Sequence, residues 1–191
     1  MKPVQIFISH TKKDKQFCDI FDTIVARVGI KAFRSELETI NPPAWRIIKQ
    51  AISDSVALFF LVGRAFIISQ RSDNLNWRFT QNWIAYEIGA ACEKGIDVWI
   101  VRDVNIFPSF PLPYVNNYFI HSLRSPAISN SMRGILETYE KGRNYSHLYA
   151  GIGVRCPHCR IEFNLYGSLH SAGMKCPCCL KGIPLLKSRI Y

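Results

Sequence analysis

The 191-residue sequence has no long hydrophobic run. Its most apolar stretch, Val56 to Ile68, is about 13 residues with Arg64 inside it, well short of the roughly 20 needed to cross a bilayer. The expectation there is a buried strand running into a loop, and no membrane partner. The opening MKPVQIFISHTKKDK lacks the apolar core and small-residue cleavage pattern of a secretory signal, so the expected compartment is the cytoplasm. No Gly-rich phosphate loop of the P-loop or dinucleotide-fingerprint type occurs, which excludes the nucleotide-binding classes built on such a loop. Acidic residues are scarce, 14 against 24 Lys and Arg for a net charge of +10, which leaves a nucleic acid, a membrane surface or an anionic small molecule as the partner to consider. What is present is a packed composition: 48% hydrophobic residues and 20% charged ones exclude a disordered or collagen-like chain. The length suits one domain of ordinary size plus a small second one.

Residues 4 to about 140 alternate between short β-branched or aromatic runs and longer amphipathic stretches, the pattern of an α/β domain with a mostly parallel sheet. VQIFIS (4–9) reads as the first strand. Apolar Phe17, Ile20, Phe21, Ile24, Val25 and Val28 recur at 3–4 residue spacing in a helix from Asp14 that Gly29 stops. IKAF (30–33) reads as a short second strand. Pro43 suits the first turn of a helix to about Ser53, and Val56 to Val62 is a central strand covered on both faces. Phe79 to Lys94 is expected as a third helix ended by Gly95, followed by the strand DVWIV (97–101). The proline-rich stretch 105–113 is a loop, YFIHS (118–122) a fifth strand, and Asn130 to Lys141 a last helix. Five strands with intervening helices fit a flavodoxin-like, doubly wound parallel sheet, which binds ligands at the carboxyl ends of its strands.

From about Tyr149 the composition changes. The segment from residue 150 holds five of the seven cysteines, and six basic residues against one acidic, where the preceding 149 residues hold 18 against 13. An odd cysteine count with Cys-x-x-Cys pairs and no leader points to a metal site in a reducing compartment. Cys156-Pro-His-Cys159, sixteen intervening residues, then Cys176-Pro-Cys-Cys179 is the spacing of a four-thiolate zinc ribbon. Cys178 competes with Cys179 for the fourth position, and His158 or His170 are further possible ligands. Four thiolates leave no open position for water, so the zinc is expected to be structural. The Ile161, Phe163, Leu165 alternation suits a hairpin arm too small to hold without metal. The expected division is a domain over 1–145 and a zinc ribbon over 150–191.

Four pieces of the first segment carry a resemblance: Phe7-Ile8-Ser9-His10 after the first strand, Asp14 opening the first helix, Ala51-Ile52-Ser53-Asp54-Ser55 before the central strand, and Trp83-Ile84-Ala85-Tyr86-Glu87 followed by Ile-Gly-Ala-Ala. In this order and spacing they resemble a TIR domain, most closely the prokaryotic members that degrade NAD. The likeness covers about residues 4–140 and leaves the cysteine tail outside the family's common core. The chain departs from the family at Val4-Gln5, where many members have an Asp, and at Pro42-Pro43, in a loop that often carries a glycine.

The resemblance implies an enzyme that takes NAD+ as substrate, self-associates through TIR surfaces and works in prokaryotic antiphage immune signalling. Glu87 is its implied catalytic residue. Trp83 and Glu87 are four apart, on one helix face, so an aromatic plate stands one turn from a carboxylate. Cleaving the nicotinamide–ribose bond builds positive charge at the anomeric carbon, which a carboxylate stabilises much as in glycosidases. Nicotinamide leaves as a neutral molecule, so no strong acid is needed. Attack by water gives ADP-ribose, and attack by the substrate's own adenine or ribose hydroxyl gives a cyclic isomer. Ser9, His10, Thr11 and Lys12, at the end of the first strand, and Trp45, past the Pro-Pro loop, are the further substrate-binding candidates. Arg34 and Glu38 are weaker ones, and His121 reads as structural.

Three other functions compete. A non-catalytic TIR interaction module would recruit partners through loop and helix faces without turnover. A basic zinc ribbon would bind nucleic acid, with Phe163 and Tyr166 either stacking on bases or forming its small core. A nucleotide-sugar or deoxyribosyl transferase on a similar sheet shares much of the chemistry, although Glu87 on a helix, away from a strand end, argues against it.

Overall fold

The computed structural model describes residues 3–34, 44–70, 75–103, 117–120, 123, 126–142, 152–158, 160, 162–165 and 181. The expectations placed on Glu38, the Pro42-Pro43 loop, the 105–113 loop, His121, Cys159, Tyr166, His170, Cys176, Cys178 and Cys179 lie outside those residues.

The order is β1 (Gln5–Ser9), a 3-10 turn (Lys12–Asp14), α1 (Lys15–Val28), β2 (Lys31–Phe33), α2 (Ala44–Ser53), β3 (Ala57–Val62), α3 (Arg64–Gln70), α4 (Leu75–Lys94), β4 (Asp97–Arg102), β5 (Asn117–Ile120), α5 (Pro126–Glu140), β6 (Ile152–Arg155) and β7 (Glu162–Leu165). This is a mixed α/β fold on a parallel sheet, compatible with a flavodoxin-like arrangement. The strand order is β2-β1-β3-β4-β5-β7-β6, with parallel pairing from β2 through β7 and an antiparallel β6–β7 hairpin.

Alternation sorts the strand residues into two apolar layers, as a sheet covered on both faces requires. Ile6, Ile8, Phe59, Leu61, Trp99 and Val101 pack with α1 and α5, through Phe17, Phe21, Met132 and Leu136. Phe7, Leu58, Phe60, Val62, Val98 and Ile100 pack on the other face with Ile48, Ile52, Phe66, Ile84 and Ile88 from α2, α3 and α4. At the amino-terminal edge Trp99 Nε1 donates to the Tyr139 hydroxyl at 2.8 Å, which donates to Asp97 at 2.5 Å. Gln5 is buried; its amide donates to the Ala51 carbonyl at 3.1 Å and to Ser55 Oγ at 3.3 Å, tying β1 to the end of α2.

Gly29 ends α1 as expected: at φ 78° it occupies the left-handed region, and its N–H meets the carbonyls of Val25 and Ala26. Two expectations need correction. The run after Val62 is a helix, α3, not a loop, because the Asp14 carboxylate accepts from the backbone N–H groups of Ala65 at 2.8 Å and Phe66 at 3.0 Å and so caps its start. The tail hairpin, expected as part of a separate module, joins the sheet, which among the described residues holds β1 to β5 and the β6–β7 pair. β5 presents a row of edge N–H and carbonyl groups, and β7 takes them up with Tyr118 opposite Asn164 and Phe119 opposite Leu165. Helix starts also move: α4 begins at Leu75, and α5 at Pro126, a residue suited to a first turn.

Candidate functional site

Ser9, His10 and Arg34 stand where β1 and β2 reach their carboxyl ends, and Glu87 of α4 meets them at Ser9. Ser9 is the last residue of β1 and lies opposite Phe60, which lies opposite Ile100. It shares a face with Phe7, so its side chain enters the layer of α4.

The buried stripe of α4 is Ile84, Ile88 and Ala91, and Glu87 falls inside it at 3% exposure. Helical spacing at i, i+3, i+4 and i+7 calls for an apolar residue there. The chain places a carboxyl group instead and gives it one named partner, Ser9 Oγ, which donates to Glu87 Oε2 at 2.5 Å. Burial pushes the Glu87 carboxyl up to about 7, against the pull of the Ser9 hydrogen bond toward the charged form. A carboxyl near neutral in proton balance, buried and aimed at a strand end, is suited to proton exchange or to stabilising a developing cation.

Trp83 lies one turn before Glu87, 38% exposed, and stacks on Tyr86 with ring centroids 5.6 Å apart and planes 20° apart. Its indole is an accessible plate, not a core aromatic. Trp45, at the start of α2, is 47% exposed with the Arg46 guanidinium 5.3 Å above its ring. The Thr11 hydroxyl donates to Asp14 Oδ2 at 2.9 Å, which gives it a scaffold role at the α3 cap. Lys12 is exposed in the 3-10 turn.

His10 and Arg34 meet on the side of α1. Arg34, nearly fully buried after β2, donates from Nε to His10 Nε2 at 2.9 Å and pairs through its other arm with Asp22 of α1. On the α4 face, Arg102 closes β4 in register with Val62, buried to 1% exposure, and burial pulls its guanidinium down to about 9. The geometry thus joins Ser9 to Glu87 directly and His10 to Arg34, with Arg102 buried at the end of β4. Sequence reasoning missed Arg102 and Asp22. A charged residue directly after the buried run Val98–Val101 was the signal for Arg102; Asp22 carried none, because an Asp on a helix is ordinarily solvated.

In the tail, Cys156 follows β6 and is fully buried. The His158 N–H donates to its Sγ at 3.4 Å, the Arg160 N–H donates to its carbonyl at 2.9 Å, and Arg160 adopts φ 63°. This tight turn lays a backbone donor on the sulfur, a geometry compatible with a metal knuckle. Among the described residues no group of three His, Cys, Asp or Glu could hold a metal ion; three of the four cysteines read as ligands lie outside them. Among the described residues, too, no helix is long and apolar enough to cross a membrane.

No family model matches the sequence, and no curated protein matches it. Among solved structures, the chain is similar to the 2-deoxyribosyltransferase of the psychrotolerant bacterium Bacillus psychrosaccharolyticus, described as a biocatalyst for nucleoside synthesis. The TM-score is 0.39 at 14% identity, over 55% of this chain and 77% of that one. A likeness at that level carries no argument about activity.

Proposed function

We propose that the chain is a cytoplasmic TIR-family enzyme that cleaves the nicotinamide–ribose bond of NAD+, giving nicotinamide and ADP-ribose or a cyclic isomer, in prokaryotic immune signalling. The observation that carries this reading is a carboxyl group buried in the apolar stripe of α4 and held by a strand-end serine. Placing a carboxylate there costs stability, and a function that needs charge out of water is what repays it. In its ionised form Glu87 stabilises the cationic ribosyl centre as the bond breaks, and it binds the ribose hydroxyls before that. Ser9 orients the carboxylate. Trp83 offers its exposed face to the nicotinamide ring.

The test is chromatography of purified protein incubated with NAD+. Release of nicotinamide by wild type, and its loss in Glu87→Gln, is the expected result. Absence of nicotinamide from wild type, or full activity in Glu87→Gln, overturns the reading.

A second reading, an interaction module, is favoured by one observation. Phe79, Trp83 and Tyr86 are spaced as one stripe on α4, and Phe79 is 64% exposed, an unusual display of aromatic surface for a solvated helix. It predicts self-association without turnover.

In the tail, Cys156, Cys159, Cys176 and Cys179 would hold a structural zinc ion, which would supply folding energy to the β6–β7 hairpin. Metal analysis is expected to give about one zinc per chain, the stoichiometry of a single four-thiolate site. Nucleic-acid binding by this basic segment would weaken steeply across a salt series.

A further inference from the structure

Exposed apolar surface and charge are both spread unevenly over the two helical layers. Among the described residues, the exposed large hydrophobic side chains are Trp45, Ile47, Ile68, Phe79 and Trp83. All of these stand on α2, α3 and α4, and none on α1 or α5. Phe79 and Trp83 are four apart, on one face of α4, and α2 packs beside that helix. A display confined to neighbouring helices of one layer is the mark of a contact surface.

The charge of this layer is one-sided. α2 and α3 contain no Asp or Glu, and α4 contains none before Glu87, which is buried. Arg46, Lys49 and Arg64 are exposed there, with the Arg46 guanidinium over the Trp45 ring. On the opposite layer α1 sets Asp19 and Asp22 against Lys15 and Arg27, and α5 sets Glu137 and Glu140 against Arg133. Charge therefore decides the occupant. A second copy docking through the same face would set cations against cations, with no exposed carboxylate in α2, α3 or the first turns of α4 to pair them. An anionic partner that also carries flat apolar groups satisfies both features: its phosphates meet the cations and its bases meet the rings. A duplex keeps its bases stacked on one another and offers the rings nothing.

We propose that the layer formed by α2, α3 and α4 is a docking surface for single-stranded nucleic acid, with Trp45 and Phe79 stacking on bases and Arg46, Lys49 and Arg64 contacting phosphates. Neither kind of contact reads a 2′-hydroxyl, so RNA and DNA are equivalent ligands. This binding is separate from NAD+ cleavage, since it needs no turnover, and from the basic tail, which lies on other elements.

Fluorescence anisotropy of a labelled, unstructured DNA strand of about 16 nucleotides, titrated with the full chain across a salt series, tests it without NAD+. Arg46→Gln, Lys49→Gln and Arg64→Gln combined should reduce the slope of log affinity against log salt by about 2, because each phosphate contact on a single strand contributes about 0.7. Phe79→Ala should weaken binding by roughly 5- to 150-fold, the worth of one stacked base, and leave the slope unchanged. It stands as a test by itself if the triple variant does not fold. Lys15→Gln, Arg27→Gln and Arg133→Gln combined remove the same net charge from the other layer and should leave the slope nearly unchanged. No binding by wild type, equal losses from the two triple variants, or full binding by Phe79→Ala overturns the proposal. Equal affinity for a duplex of the same length overturns it as well. Binding to vesicles of anionic lipid with none to the strand would assign the surface to a membrane, and self-association lost in Phe79→Ala with no strand binding would assign it to a second copy; either result overturns the proposal.

Discussion

Glu87 makes a prediction about stability that needs no assumption about activity. Its carboxyl sits near 7 in the folded protein, against 4.5 for the unperturbed group. In the window between those values the folded chain binds more protons than the unfolded one, so stability falls as pH rises. Below about 4.5 the group is neutral in both states and the contribution is fully present; above about 7 it is lost. A difference of about 2.5 units corresponds to about 3 kcal/mol. Gln has the shape of the protonated acid, keeps an acceptor for Ser9 and never ionises. Glu87→Gln should therefore be about as stable as wild type at pH 4 and about 3 kcal/mol more stable at pH 8, a large fraction of a typical folding free energy. Denaturant unfolding of both proteins at the two pH values measures it, and the difference between the two mutant-minus-wild-type values cancels any packing cost of the amide. An equal effect at both pH values would refute the claim that burial raises this carboxyl.

Ser9→Ala removes the hydrogen bond that favours the ionised carboxylate, worth about 1.5–3 kcal/mol, so the rising limb of kcat/KM should move up by about 1–2 pH units; pH profiles of nicotinamide release read this, and an unmoved limb counts against it. Gly63→Ala would drive a Cβ into Cγ and Oδ1 of Asp14, which is pinned by Thr11 and the α3 backbone. Thermal unfolding should show a loss of about 1–3 kcal/mol, and a neutral result would mean that this approach is loose. Phe59, fully buried between Phe21, Trp99 and Tyr139 with ring centroids 5.2, 6.0 and 6.4 Å away, should cost about 3–5 kcal/mol when cut to Ala; a loss under about 1 kcal/mol would place it outside the core.

Much of the framework was legible because periodicity reports burial. The run Ala57–Val62 is buried at every position, and a short, unbroken apolar run bounded by turn residues fits a doubly covered strand. What the pattern could not give was contact between segments far apart in sequence. Arg64 made the following apolar residues look like a loop, since the cap that starts α3 comes from Asp14, about fifty residues earlier. The docking of β7 on β5 depends on unpaired backbone groups, which carry no side-chain signature. Ser9 and Glu87 were each candidates by resemblance, but their contact was not foreseen, because 78 residues separate the two. The Arg34–Asp22 pair had no local signal at all.

The two halves of the strand-end site are built in opposite ways, and the contrast bears on what each can do. On the α4 face a carboxyl is buried with a neutral serine donor, which leaves its charge poorly compensated and its proton held more tightly than on an ordinary carboxyl. On the α1 face the cation Arg34 is buried too, but Asp22 balances it and His10 fixes its direction. An uncompensated charge gains most when a ligand brings the opposite charge, since the attraction then acts in a low-dielectric setting already stripped of water. A compensated one gains little and serves geometry. The Glu87 side is therefore where positive charge on a ligand would gain most, and the stability given up at Glu87 is the measure of how strongly that side favours it.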